Sequence, residues 1–210
     1  MPSARDIVTF SDSPPPPGAS PWVAGAEARD GDIAIVEPDA SWPEAFSRIA
    51  DLVQDALGPR ALQIEHVGST SVPGLPAKPI IDVDVIVANP ADEASWLPAL
   101  EAKGFVLTVR EPWWHEHRCL RHAAPRTNVH VFGPDAPEPW KHRIFRDHLR
   151  RDTVDRDLYA AVKRETAADA NAHGETVMQY NARKQAVIRE IYDRAFRAAG
   201  LAGAGSVSIS

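Results

Sequence analysis

The sequence predicts a mixed α/β (α+β) domain with a helical C-terminal part, and three observations carry that prediction. Short β-branched runs bounded by Gly, Pro and Asn fill the middle of the chain. The longest of them, IIDVDVIV from Ile80 to Val87, is almost continuous and reads as a central, doubly covered strand. Helix-spaced apolar residues precede these runs (Phe46, Ile49, Leu52, Val53) and follow them from Pro139 to about Ala199 (Leu149, Leu158, Val162, Met178, Val187, Ile188, Ile191).

The elements follow in order. Residues 1–32 are rich in Pro, Ser, Ala and Gly, with four consecutive prolines from Pro14 to Pro17, and are expected to be a disordered, solvated leader. A single domain is expected over 33–199, opening with the short apolar run Ile33 to Val36. Ser41 and Glu44 have the spacing of a capping box before a helix that ends at Gly58-Pro59. Strands are expected at Leu62 to Val67, Ile80 to Val87, Phe105 to Arg110, Arg118 to Arg121 and Thr127 to Phe132. Asn89-Pro90 reads as an N-cap with Pro at the first helical position, opening a helix to about Lys103 that Gly104 closes. The C-terminal helical stretch breaks near Asp152-Thr153 and His173-Gly174, and 200–210 reads as a flexible tail.

Composition excludes several classes. With 44% hydrophobic and 25% charged residues the chain can bury a real core, so wholesale disorder is ruled out. No run of about 18 apolar residues exists, and the first residues lack the apolar stretch of a secretory signal. A single cysteine, Cys119, cannot form an intramolecular disulfide; a cytoplasmic protein is the expectation. The net charge of −6 and the lack of a basic cluster argue against generic nucleic-acid binding. Yet residues 140–197 carry 13 Lys and Arg against 9 Asp and Glu, a basic third facing an acidic remainder. That asymmetry suits a phosphate-bearing ligand held between them.

The chemistry concentrates in two segments separated by a dozen residues: Gly68-Ser69-Thr70 and Asp82-Val83-Asp84. On a strand, Asp82 and Asp84 share a face while Val83 and Val85 point into apolar packing. Two neighbouring carboxylates resist joint ionisation unless a cation lies between them, and Mg²⁺ (or Mn²⁺) accepts such oxygens together with substrate phosphates. A Gly-Ser loop beside them supplies close backbone approach and hydroxyl donors for phosphate. Together these parts are what metal-assisted phosphoryl or nucleotidyl transfer requires.

At these residues the chain resembles a known family. The apolar-Gly-Ser and Asp-apolar-Asp pattern is similar to the signature of the nucleotidyltransferase superfamily with the polymerase-β-like fold. More narrowly, IEHVGSTSVPGLPAKPIIDVDVIV (64–87) resembles the GrpB family almost residue for residue. The likeness extends through VEPDASWPEAF, NVHVFG, IFRDHLRRD, LYAAVKRE and the pair Tyr180 and Lys184, covering about 33–197. The resemblance implies a minimal nucleotidyltransferase-like core whose mixed sheet carries the aspartates, with C-terminal helices closing one side. Related domains occur as a C-terminal extension of some dephospho-CoA kinases, which points to nucleotides or CoA-type ligands. It also carries Arg118 as a position near the pocket, where a guanidinium would bind phosphate. Active members present a third carboxylate on a later strand; here that strand reads Asn128-Val129-His130-Val131, so His130 stands in its place.

The expected site is therefore Asp82 and Asp84 as metal-holding and catalytic residues with His130, and Gly68, Ser69, Thr70, Lys78, Arg118 and Lys184 as the phosphate-binding set. Glu116 is a loop candidate for the missing acid. His115, His117, His122 and Cys119 are too loosely spaced for a zinc site. The expected activity is Mg²⁺-dependent transfer of a nucleotidyl group from a nucleoside triphosphate to an unknown acceptor. The alternative is a non-catalytic module that keeps the fold and binds a nucleotide or a partner.

Overall fold

The structure, a computed structural model, describes residues 1–11, 15–23, 26 and 32–201. Its elements are α1 (Ala4–Val8), α2 (Trp42–Leu57), β1 (Gln63–Val67), β2 (Ile81–Ile86), α3 (Glu93–Glu101), β3 (Val106–Glu111), β4 (His117–His122), β5 (Thr127–Phe132), α4 (Glu138–Arg151), α5 (Thr153–Ala172) and α6 (Val177–Ala198). Five strands form one mixed sheet in the order β1-β2-β5-β4-β3, with only β2 and β5 running parallel. All five expected strands are present, and the expected helical breaks fall where α4 gives way to α5 and α5 to α6.

Alternation along β2 divides the molecule. Its odd-numbered residues Ile81, Val83 and Val85 are buried with Val129, Val131 and Leu120 under Ile49, Val53 and Leu57 of α2 and Trp96 and Leu100 of α3. Even-numbered Asp82 and Asp84 therefore face the opposite layer, where α4, α5 and α6 pack. There a second apolar cluster joins Val72 and Leu75 to Leu149, Tyr159, Ala160 and Ile191. Among the described residues no helix is long and apolar enough to cross a membrane.

Three local readings are corrected. Ser41 precedes α2 but makes no side-chain cap; its own N–H donates to Asp39 instead, at 2.8 Å. Asn89 does not cap α3, which starts at Glu93 after Asp92; its Oδ1 accepts from the Ala91 N–H in a turn. The N-terminal stretch is less extended than its composition implies. Ser3 and Asp6 form a capping box that starts α1, and Ile7 buries itself against Tyr192 and Phe196 of α6. Further on, Pro21 and Val23 bond to Arg110 and Thr108, so a described part of the leader covers the open edge of β3. Most of the expected tail, 202–210, lies outside the described residues.

Candidate nucleotide and metal site

Strand β1 runs antiparallel to β2, which sets Val67 beside Asp82 and delivers Gly68 next to that carboxylate. Gly68 has φ +68°, and a Cβ built there would lie 2.9 Å from the Asp82 Cβ and closer still to a carboxylate oxygen. Glycine is needed on both counts. The bend continues as a single 3₁₀ turn, Ser69–Ser71. The Ser71 hydroxyl donates to the Gly68 carbonyl at 2.6 Å, and the Arg150 guanidinium donates twice to the Ser71 carbonyl. The Thr70 hydroxyl donates to the Ile80 carbonyl and lies 3.1 Å from His66 Nε2. Thr70 thus fastens the bend to the fold, a correction to its expected phosphate role. Ser69 is half-buried, with its side chain hydrogen-bonded to that of Tyr159.

Asp82 Oδ1 accepts from Asn128 Nδ2 at 2.9 Å across the parallel β2–β5 pair. Burial raises its pKa above the ordinary carboxylate value, against the Asn128 bond and the Lys78 charge, which lower it. Asp84 is deeper, 1% exposed, and its Oδ2 lies 2.8 Å from His142 Nδ1 of α4. Its Oδ1 is buried with no hydrogen-bond partner. Burial alone would lower the pKa of His142, but the Asp84 carboxylate outweighs it and holds the imidazole above its usual range.

His130 does reach the face of the aspartates, opposite Asp84 in register. It is engaged elsewhere: its Nδ1 is 3.0 Å from His117 Nε2, and His117 Nδ1 is 2.7 Å from Glu111. Burial, with His117 nearby, pushes the pKa of His130 down to about 3. Its expected place among the catalytic residues is corrected on that geometry: the imidazole bonded to Asp84 is His142, and His130 is bonded to His117. Arg118 is likewise displaced. It pairs with Val131, on the apolar face, and its guanidinium donates to Glu93 at 2.6 Å and to Glu116 at 3.3 Å. Neither Arg118 nor Glu116 belongs to the site.

Lys78 and Lys184 do belong to it. A cavity of about 90 Å³ is lined by Ser69, Lys78, Asp82, Asn128, Tyr159, Lys163, Tyr180 and Lys184. Lys184 Nζ stands 3.8 Å from the Tyr180 ring centroid and Lys163 Nζ 4.5 Å from that of Tyr159. Burial together with neighbouring cations lowers both Lys163 and Lys184 to about 7. On the other side of Ser69 and Tyr159 lies a second, mainly apolar cavity of about 200 Å³. Gly68, Val72, His142, Phe145, Arg146, Leu149, Ile188 and Tyr192 complete its wall.

Sequence reasoning missed Lys163 and His142. Tyr159 and Lys163 repeat on α5 the four-residue spacing of Tyr180 and Lys184 on α6, a signal that could have found the first. His142 shares a helical stripe with Phe145, Arg146 and Leu149, which could have placed it toward the sheet. Among the described residues, one other group has metal-like spacing: His148, Asp152 and Asp155. Arg194 already neutralises Asp155 with bonds of 2.6 to 3.0 Å, and Asp152 caps α5, so that group is explained without an ion.

A mixed sheet presenting two aspartates beside a Gly-Ser bend, closed by C-terminal helices, is consistent with the nucleotidyltransferase superfamily. The chain belongs to the GrpB family: the model of that family, described as GrpB protein, matches residues 32–194. UPF0157 protein BH1888 of Halalkalibacterium halodurans is 42% identical over 173 residues, 82% of this chain and 87% of that protein. The crystal structure of conserved protein GrpB from Enterococcus faecalis superposes with a TM-score of 0.69 at 29% identity, covering 80% of this chain and 99% of that one. A dephospho-CoA kinase of Mycolicibacterium paratuberculosis is 34% identical over 191 residues, 78% of this chain but only 46% of the kinase.

Proposed function

We propose that the chain is a metal-assisted nucleotidyltransferase acting on a nucleoside triphosphate or a CoA-type nucleotide and an acceptor hydroxyl. The observation that carries this reading is the contact of Gly68 with Asp82, which puts Ser69 and that carboxylate in the wall of one cavity. Asp82 and Asp84 would hold Mg²⁺ or Mn²⁺, and the donor set fits: both acids lie on one sheet face, and Asp84 Oδ1 is a buried oxygen with no other partner. The ion would supply Lewis-acid stabilisation of charge on the phosphates.

The chain's own groups then divide the work. Ser69 and the Gly68 backbone position the phosphate chain, and Lys78 and Lys184 balance its charge. In the transfer, the acceptor oxygen bonds to the α-phosphorus and the bond from that phosphorus to the β-bridging oxygen breaks. Pyrophosphate leaves with the electron pair, and the hydroxyl proton passes to solvent. Calorimetry with ATP, GTP, CTP and UTP, with and without Mg²⁺, tests the reading on the parent protein and Asp82→Asn. The variant is expected to lose the metal-dependent part of nucleotide binding; unchanged affinity refutes the role of Asp82.

A second reading, a non-catalytic nucleotide-binding module, is favoured by one observation: His130 stands where active relatives would carry a third acid and is bonded away to His117. Incubation with labelled triphosphates and Mg²⁺ or Mn²⁺ separates the two. Pyrophosphate release supports the transferase, and binding without turnover supports the module.

A further inference from the structure

The cavity lined by Ser69, Asp82, Tyr159 and Tyr180 also contains the side chains of three lysines from three separate parts of the chain. Lys78 comes from the loop before β2, Lys163 from α5 and Lys184 from α6. Lys163 and Lys184 are 2% and 6% exposed, and among the described residues no ion pair joins any of the three to a carboxylate. The polar contact of the Lys163 ammonium is the Pro76 carbonyl. Asp82 is the single carboxylate in the wall, so three lysine amines meet one acid in the same partly buried cavity.

Buried cations without counter-ions are costly unless a ligand completes them. The two tyrosine rings under Lys163 and Lys184 soften that cost but do not neutralise it. An anion bound among the three amines favours their protonated forms, and a single monovalent anion beside Asp82 would then leave the cavity positive. A compact oxyanion with two linked phosphates matches both the excess charge and the number of donors.

We propose that Lys78, Lys163 and Lys184 form a pyrophosphate-length oxyanion site that fills without a metal ion. It takes the terminal two phosphates of a polyphosphate ligand, or free inorganic pyrophosphate. This deepens the nucleotide reading of the same cavity and rests on it for the identity of the natural ligand, but the anion site stands on the lysines alone. Lys163 thereby becomes a phosphate-binding residue on equal terms with the other two.

The test is calorimetry of the full chain with inorganic pyrophosphate in excess EDTA, with sulfate as comparison. Pyrophosphate is expected to bind saturably, and Lys163→Gln or Lys184→Gln to weaken it roughly ten- to hundredfold, the effect of one lost charge-assisted hydrogen bond. Thermal unfolding of the unaltered protein gives a readout independent of any variant's folding: pyrophosphate in EDTA should raise the Tm with increasing concentration. Absence of both binding and a Tm rise overturns the proposal. So does full affinity in both folded variants, or sulfate binding as tightly as pyrophosphate. Asp82→Asn distinguishes this proposal from the metal reading. Removing the lone carboxylate should preserve or tighten metal-free pyrophosphate binding, even as metal-dependent nucleotide binding is lost. Metal-free binding that disappears in Asp82→Asn overturns the lysine assignment.

Discussion

Asp84 of β2 and His142 of α4 lie 58 residues apart and meet in a 2.8 Å hydrogen bond, the polar link between the buried acid and the helical layer above it. Because Asp84 Oδ1 has no partner at all, His142 is the one side chain that compensates this carboxylate among the described residues. His142→Ala is expected to lower the unfolding free energy by about 2–4 kcal/mol, the cost of stranding a buried acid. Urea unfolding at pH 7 measures it. The double variant with Asp84→Asn should recover part of the loss, since no charge is then left stranded.

Gly68→Ala tests the bend. The added methyl meets the Asp82 side chain, and the residue is held at φ +68°, so both packing and backbone oppose it. A loss of about 2–4 kcal/mol in urea unfolding is expected. An alanine tolerated within 0.5 kcal/mol would mean that the bend can move off the carboxylate.

Arg118→Ala should separate stability from binding. The guanidinium is 4% exposed and joins β4 to Glu93 on the far side of the sheet from the cavity. Its removal is expected to cost about 2–3 kcal/mol, while nucleotide affinity of the folded protein stays within about twofold. Lys184→Ala should do the reverse to affinity.

Acid sensitivity follows from two buried histidines. Burial pushes His66 to about 4 and His130 to about 3 from the ordinary 6.5, so the native state refuses protons that the unfolded chain accepts. A depressed folded pKa makes stability fall as pH drops below 6.5, continuing toward pH 4 and then 3. The slope of unfolding free energy between pH 6 and 4.5 should approach two protons from these groups, and His66→Gln should remove about one of them.

The strands were legible because alternation marks them locally: Val83 and Val85 against Asp82 and Asp84 already state which side of β2 is apolar. Which side of a neighbouring strand joins the aspartates is a matter of register, and register is not local. Arg118, expected near the pocket, is set by pairing beside Val131 on the apolar face, while Arg121 falls beside Asn128. Lys163 and His142 were hidden for a related reason. Each is an ordinary residue on a charged helix, and only the docking of α4, α5 and α6 on the sheet turns it inward. Ser41 and Asn89 had the chemistry of caps but found other hydrogen bonds, where the chain's entry into the helix left the expected donors elsewhere.

The strip from Pro21 to Val23 has a practical meaning for handling this molecule. It occupies backbone groups of β3 that would otherwise be a template for another chain, and Ile7 fills a socket on α6 in the same way. Trimming the protein to the segment shared with its relatives, 32–194, would bare a sticky sheet margin and an oily patch at once. Such a fragment should self-associate more readily than the longer chain.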